Sequence, residues 1–165
     1  MSILYSLLYV IFLGVASHLI GEALPRRWFS WEGFPFRPWR LEREGRIYEV
    51  FFIRAWKDAL PDKSRVCGRM VPKRLGRALS YERVRCLILE TCVAEAVHAG
   101  LCLAAFPICF FWEGAAGAAF VWIYILGNLP FIMIQRYNRP ALIVLAERLK
   151  KREERKRDAG AHSVG

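Results

Sequence analysis

Positive charge is missing from three long stretches of this chain. All 25 Lys and Arg residues fall in segments 25–85 and 135–165. Residues 3–24, 87–112 and 115–134 therefore carry none, and each stretch has the roughly 20 apolar residues that cross about 30 Å of hydrocarbon. We predict that these three stretches are transmembrane helices.

Motifs that would indicate other chemistries are also missing. The five cysteines form no CxxC pair, so a disulfide framework is not expected. No G-x-S-x-G or HExxH sequence occurs, which argues against a serine nucleophile and against a zincin-type metal site. No basic residue precedes the apolar run at 3–24, which favours a membrane span over a cleaved signal peptide.

Composition and charge indicate a small membrane protein. The 165 residues are 55% hydrophobic, which is too short for two domains and too apolar for an ordinary soluble domain. The net charge of +10 comes from residues that flank the spans, so we expect anionic membrane lipids as partners and no nucleic acid. We predict one membrane-embedded domain at 1–158 and a disordered tail at 159–165.

The basic segments predict the topology, because loops rich in Lys and Arg remain in the cytoplasm. Loop 25–85 and the C-terminus are expected there, and the N-terminus outside, in a multi-pass protein of the cell membrane. Residues 42–57 indicate an amphipathic interfacial segment, helical sooner than extended, and 65–85 indicates short basic helices under the headgroups. Pro140 is expected to start an amphipathic tail helix that frays beyond about Arg157. The expected fold class is an all-α integral membrane protein with about three transmembrane helices and amphipathic interfacial segments on the cytoplasmic side.

The second predicted span contains ionisable residues that form a candidate catalytic site. At about 100° per residue, Glu90, His98 and Glu95 project at about 0°, 80° and 140°, which puts the imidazole between two carboxylates. A carboxylate bonded to one imidazole nitrogen raises the basicity of the other, as a hydroxyl-activating base requires. We therefore predict His98 as a general base oriented by Glu95 or Glu90. Counted from Cys86, His98 lies about 18 Å deep, near the midplane.

Other interpretations of these polar groups remain open. They are able to join helices by hydrogen bonds alone, as in a non-enzymatic scaffold subunit. With His18, they also supply oxygen and nitrogen ligands for a metal-dependent membrane hydrolase. The favoured hypothesis needs no metal and no other cofactor. His18 and Asn128, near the cytoplasmic ends of the first and third spans, are candidates for lining the same cavity.

Residues near the membrane surface are candidates for contacting substrate. Guanidinium and ammonium groups suit donor phosphates, and an indole offers a stacking face or an interfacial anchor. Asn138 is a candidate donor to a developing oxyanion, whereas Arg26 and Arg27 are expected to face lipid phosphates. The predicted substrate-binding residues are Arg54, Trp56, Lys57, Arg136 and Arg139.

Four motifs give the chain a family resemblance. They are Phe52-x-Arg-x-Trp-Lys, Glu90-Thr-x-x-Ala-Glu-x-x-His98, Asn128-x-Pro130 and Gln135-Arg-Tyr-Asn-Arg-Pro140. In these motifs and in span order the chain resembles the glycosyl-4,4'-diaponeurosporenoate acyltransferases, membrane enzymes of the staphyloxanthin carotenoid pathway. The resemblance implies transfer of a fatty acyl group to a sugar hydroxyl of a glycosylated lipid, at the candidate residues that fall within these motifs.

The resulting hypothesis is an integral membrane O-acyltransferase whose site opens to the cytosolic leaflet. The expected partners are an acyl donor (acyl-CoA, acyl carrier protein or a lipid) and a glycolipid or other lipid acceptor. His98 would deprotonate the acceptor hydroxyl, which attacks the donor directly without a covalent enzyme intermediate. The metal-dependent hydrolase and the scaffold subunit are the alternatives.

Overall fold

The computed structural model describes residues 2–57, 59 and 80–162, and within these residues the chain is helical with no β-strand. Three helices are long and apolar enough to cross a membrane, which confirms the predicted fold class. The helices are α1 (Ser2–Ala23), α2 (Ile53–Trp56), α3 (Tyr81–Ala104), α4 (Ile108–Phe111) and α5 (Gly114–His162), with 3-10 helices at Arg26–Trp28 and Arg40–Phe51.

Helix α1 runs antiparallel to α3 and exposes most of its large apolar side chains, as a lipid-facing span does. Near its start, the Tyr9 hydroxyl donates to the Ala104 carbonyl at 2.9 Å. At its end Pro25 stops the helix, and Arg26 Nη1 lies within 3.1 Å of the carbonyl oxygens of Gly21, Glu22 and Leu24. The guanidinium thus satisfies backbone acceptors that every helix C-terminus leaves free.

Helix α3 begins six residues before the predicted second span. The Ser80 hydroxyl accepts a hydrogen bond from the Arg83 amide at 3.3 Å, which is a regular N-cap. The first turns pack beside the C-terminal half of α5, where Val84, Ile88 and Ala146 form a buried cluster. These turns therefore lie outside the apolar part of α5. Of the basic segment predicted at 65–85, residues 81–85 belong to α3, and residues 65–79 lie outside the described residues.

Helix α5 corrects the prediction of a separate tail helix. It is continuous for 49 residues and passes through Pro130 and Pro140. A proline removes one backbone hydrogen bond, and packing against a neighbouring helix offsets that loss. Beside Pro140, the N-terminal turns of α3 supply this packing. The helix also extends to His162, beyond Arg157, where we expected fraying; residues 163–165 lie outside the described residues.

The amphipathic segment predicted at 42–57 is helical, as favoured, but most of it is a 3-10 helix followed by α2. Phe52 joins the two with a φ of 52°. The 3-10 helix packs against α5 at Gly45, whose φ is +90°, and a Cβ at that position would lie 3.0 Å from the Tyr137 carbonyl oxygen. Glycine is therefore required there both by the backbone conformation and by the close approach.

Candidate active site

A cavity of about 270 Å³ lies between α1, α3 and α5. His98 projects into it from α3, and His18 lines it from α1. Polar groups gather toward the loop side of this cavity, whereas the opposite side is apolar. We call this space the His98 cavity; its polar lining residues are Ser17, His18, Arg26, Glu90, Thr91, His98 and Gln135.

The side-chain amide of Asn128 contacts the His98 imidazole. The imidazole Nδ1 lies 2.9 Å from Asn128 Oδ1, and the ring stacks on Phe131 with centroids 4.5 Å apart. Asn128 Nδ2 donates to the Tyr124 carbonyl at 2.9 Å, so Oδ1 is the acceptor and Nδ1 the donor. In the neutral imidazole, Nε2 is therefore the basic nitrogen. The predicted orienting residues, Glu95 and Glu90, are ion-paired elsewhere.

The contact with Asn128 places His98 level with that residue. Counted along α5, this level is about 10 Å from Gln135, where the apolar run ends. The depth of about 18 Å expected from the sequence was counted from Cys86, which lies in the first turns of α3, beside the C-terminal half of α5.

Glu95 belongs to a buried group of four charges, which we call the Arg–Glu cluster: Glu42, Glu95, Arg136 and Arg139. The carboxylate oxygens of Glu95 accept hydrogen bonds from Arg136 Nη1 at 2.5 Å and from Arg139 Nη2 at 2.6 Å. Arg136 Nε donates to Glu42. The four side chains are between 1% and 9% exposed. Two positive and two negative charges balance, as buried charges must to avoid a large desolvation penalty.

The remaining donors of the two arginines hold the loop before the 3-10 helix. Arg139 donates to Thr91 Oγ1 at 2.8 Å and to the Phe36 carbonyl at 2.6 Å. Arg136 donates to the Pro35 carbonyl at 3.1 Å and lies 4.5 Å from the Trp39 ring centroid. We expected both arginines to hold donor phosphates. In the structure, protein acceptors occupy their N–H groups, because the loop folds back over them.

Glu42 anchors the 3-10 helix to this cluster. Its carboxylate accepts from the Tyr48 hydroxyl at 2.7 Å and from the Trp39 amide at 3.0 Å, in addition to Arg136. Burial alone would raise the pKa of Glu42, but these hydrogen bonds outweigh it and the pKa is lowered. Burial and the adjacent carboxylate raise the pKa of Tyr48.

Glu90 pairs with a residue that the sequence placed at the lipid surface. Arg26 Nε and Nη2 donate to its two oxygens at 2.7 and 2.9 Å, a bidentate arrangement. The two side chains are 29% and 30% exposed. The pair therefore lies at the rim of the His98 cavity, where Arg26 faces a carboxylate instead of the expected lipid phosphate.

Two of the predicted loop residues, Arg54 and Lys57, contact Tyr137, and neither they nor Trp56 line the His98 cavity. Arg54 donates to the Tyr137 hydroxyl at 3.2 Å and to Glu49 at 2.5 Å. Lys57 Nζ lies 4.9 Å from the Tyr137 ring centroid, and Trp56 Nε1 donates to a backbone carbonyl at 2.8 Å. Because Arg54 remains 71% exposed, this surface is open to an anion. Asn138 is the next residue of α5 and is half-buried.

Gln135 is a site residue to which the sequence analysis gave no role. It lines the His98 cavity and is 4% exposed. Asn128, Phe131 and Gln135 are spaced i, i+3 and i+7, so they share one face of α5. This spacing, visible in the sequence, was the signal that could have identified Gln135 as a site residue.

The carboxylates considered as ligands for the alternative metal site bind arginines in the structure. Among residues 2–57, 59 and 80–162, no three His, Cys, Asp or Glu side chains approach closely enough to hold a metal ion. Glu90 binds Arg26, and Glu95 binds Arg136 and Arg139. The carboxylates thus serve ion pairs in this structure.

These features define a class: a three-helix integral membrane protein with an oriented imidazole in an intramembrane cavity. A family model for glycosyl-4,4'-diaponeurosporenoate acyltransferase matches residues 25–148, and the chain belongs to this family. The glycosyl-4,4'-diaponeurosporenoate acyltransferases of Staphylococcus aureus strains MRSA252 and N315 are each 27% identical over 139 residues, covering 82% of both chains. The resemblance is confirmed, and the chain is an acyltransferase. No solved structure matches it.

Proposed function

We propose that this acyltransferase moves a fatty acyl group from an acyl thioester or lipid donor to a hydroxyl of a glycosylated lipid, with His98 as general base. The observation that carries the proposal is the His98–Asn128 hydrogen bond inside the cavity. It fixes the tautomer in which Nε2 is basic. The acceptor class comes from the relatives, which are named as acyltransferases of glycosyl-4,4'-diaponeurosporenoate.

With a thioester donor, the reaction proceeds through one tetrahedral intermediate. The acceptor oxygen bonds to the acyl carbon while His98 Nε2 takes the hydroxyl proton. When the intermediate collapses, the carbon–sulfur bond breaks and the thiolate takes that proton from the imidazolium. The products are an ester and a free thiol, and His98 returns to its neutral form. No covalent enzyme intermediate is needed.

Gln135 is the donor best placed to contact the acyl oxygen. Its side chain lines the cavity and is 4% exposed, and an amide N–H at this position would stabilise charge that develops on the carbonyl oxygen. Asn138, the residue expected in this role, follows one turn later on α5 but is not among the residues lining the cavity. Comparison of Gln135→Ala with Asn138→Ala separates the two assignments.

The phosphate groups of a donor such as acyl-CoA are assigned to Arg54 and Lys57. Both are accessible around Tyr137, whereas Arg136 and Arg139 are enclosed. The basic loop and the C-terminal half of α5 favour an orientation with this end of the bundle and the C-terminus in the cytoplasm, and the N-terminus outside the cell membrane. The same basic surface would contact anionic lipids.

The test is transfer of label from radioactive long-chain acyl-CoA into lipid. Membranes containing wild type, His98→Gln or Ile123→Ala are incubated with a native lipid extract. His98→Gln keeps a polar side chain but lacks the base, and we expect a loss of about 10²- to 10⁴-fold. Ile123 is 69% exposed on α5, and its variant should retain activity. Full activity in folded His98→Gln protein would refute the general-base assignment, and inactivation by chelator would favour the hydrolase.

A further inference from the structure

A second cavity of about 280 Å³ lies between α1 and α3. Ser17, Val97 and Leu101 line both this space and the His98 cavity, so the two spaces adjoin. The second space, which we call the α1–α3 groove, is lined from Leu13 to Leu24 on α1 and from Ala96 to Ala104 on α3. A chain that leaves the His98 cavity past the shared residues would enter this groove.

The groove accepts only an apolar occupant. Its lining is aliphatic except for Ser17, whose hydroxyl already donates to the Gly14 carbonyl at 2.9 Å. Room for the occupant comes from small residues: a Cβ added at Gly100 would meet nothing within 4 Å. At the far end, the Tyr9 hydroxyl bonds the Ala104 carbonyl and joins α1 directly to α3.

We propose that the α1–α3 groove holds the acyl chain of the donor, with its carbonyl at His98 and its methyl end toward Ala104. This inference rests on the proposed function, because it assumes an acyl ester in the His98 cavity. An acyltransferase must hold the chain and the reacting carbonyl at the same time. A groove that adjoins the cavity is placed to do both, whereas the exposed surface around Tyr137 is not.

The groove would then limit the length of the acyl chain that the enzyme transfers. Gly100 and Ala104 are one turn apart, about 6 Å along α3. An extended hydrocarbon advances about 1.3 Å per carbon, given carbon–carbon bonds near 1.5 Å, so the two positions are separated by about five carbons. A larger side chain at Gly100 should exclude chains that one at Ala104 still admits.

The experiment supplies membranes and native lipid extract with an equimolar mixture of C4 to C18 acyl-CoAs, and mass spectrometry measures the acyl composition of the products. We expect Gly100→Leu to raise the ratio of short-chain to long-chain product at least tenfold. Ala104→Leu should produce the same shift at chains about five carbons longer. The matched control is Gly127→Leu, which is also an added side chain with open space at Cβ but lies on α5 outside both cavities; it should keep the wild-type profile.

Either an unchanged chain-length profile or equal loss at all lengths in the folded Gly100→Leu protein would overturn the groove assignment. If wild type transfers no acyl group, the proposed donor fails, and the groove is tested separately with palmitoyl-CoA that carries a diazirine at its methyl end. Crosslinks at Leu13 or Ala104, weakened in Gly100→Leu, would support the groove. Crosslinks confined to other segments would overturn it.

Discussion

Replacement of Glu95 by Gln tests whether this carboxylate stabilises the fold or orients the base. The change removes one negative charge from the Arg–Glu cluster and leaves Arg139 and Arg136, 1% and 7% exposed, with a single carboxylate. Breaking a buried ion pair by removing one partner costs about 3–5 kcal/mol. For a chain of this size we expect a melting temperature lower by about 6–20 °C.

The assay is thermal unfolding of the detergent-solubilised protein, measured for Glu95→Gln, Arg139→Gln and the double variant. The double variant restores charge balance. Its loss in free energy of unfolding should therefore be smaller than the sum of the losses of the two single variants, by at least about 1 kcal/mol. Thr91→Val is a useful comparison, because it removes one hydrogen bond to Arg139 without changing the charge.

Two outcomes would contradict this reasoning. Strictly additive single losses would mean that Glu95 and Arg139 do not interact in the folded protein. A fully stable Glu95→Gln protein that had lost activity would return Glu95 to the originally predicted role beside His98. The structure instead predicts that activity falls in parallel with the folded fraction.

Three further predictions concern other contacts. Asn128→Ala should lower kcat about tenfold or more with a smaller change in KM, measured by steady-state transfer, because His98 loses its orienting acceptor. Gly45→Ala should lower unfolding free energy by about 1–3 kcal/mol, because the added Cβ is strained and meets the Tyr137 carbonyl; a melting curve equal to that of wild type would contradict this. The pKa of Glu42 is lowered from its ordinary value of 4.5, so its contribution to stability is present above about pH 4.5 and is lost as pH falls through the lower folded-state pKa. Glu42→Gln should therefore flatten the acid limb of the melting temperature against pH.

Sequence patterning was sufficient for the spans because charge and hydropathy are local properties of a segment. The absence of Lys and Arg from three stretches located the membrane helices. It located their ends less well: α3 begins early and α5 continues through Pro140, because packing between the two helices outweighs the local helix-ending signals. Such packing is not visible in either segment alone.

Two of the nine predicted site residues, His98 and Glu90, line the His98 cavity. Yet the helical-wheel argument paired residues within one helix, whereas the observed partners come from segments 30 to 64 residues away. Arg26 and Asn128 are ordinary interfacial or span residues in sequence. Only the antiparallel packing of α1 and α5 on α3 identifies their partners.

The carboxylates near the His98 cavity and His98 itself have different partners, which bears on the proposed chemistry. The carboxylates of Glu90 and Glu95 pair with arginines, and the amide of Asn128 contacts the His98 ring. In a membrane-spanning bundle, a buried imidazolium–carboxylate pair would carry a desolvation penalty. In the mechanism that we propose, His98 becomes positively charged when it takes the acceptor proton, and the tetrahedral oxyanion beside it supplies the compensating negative charge.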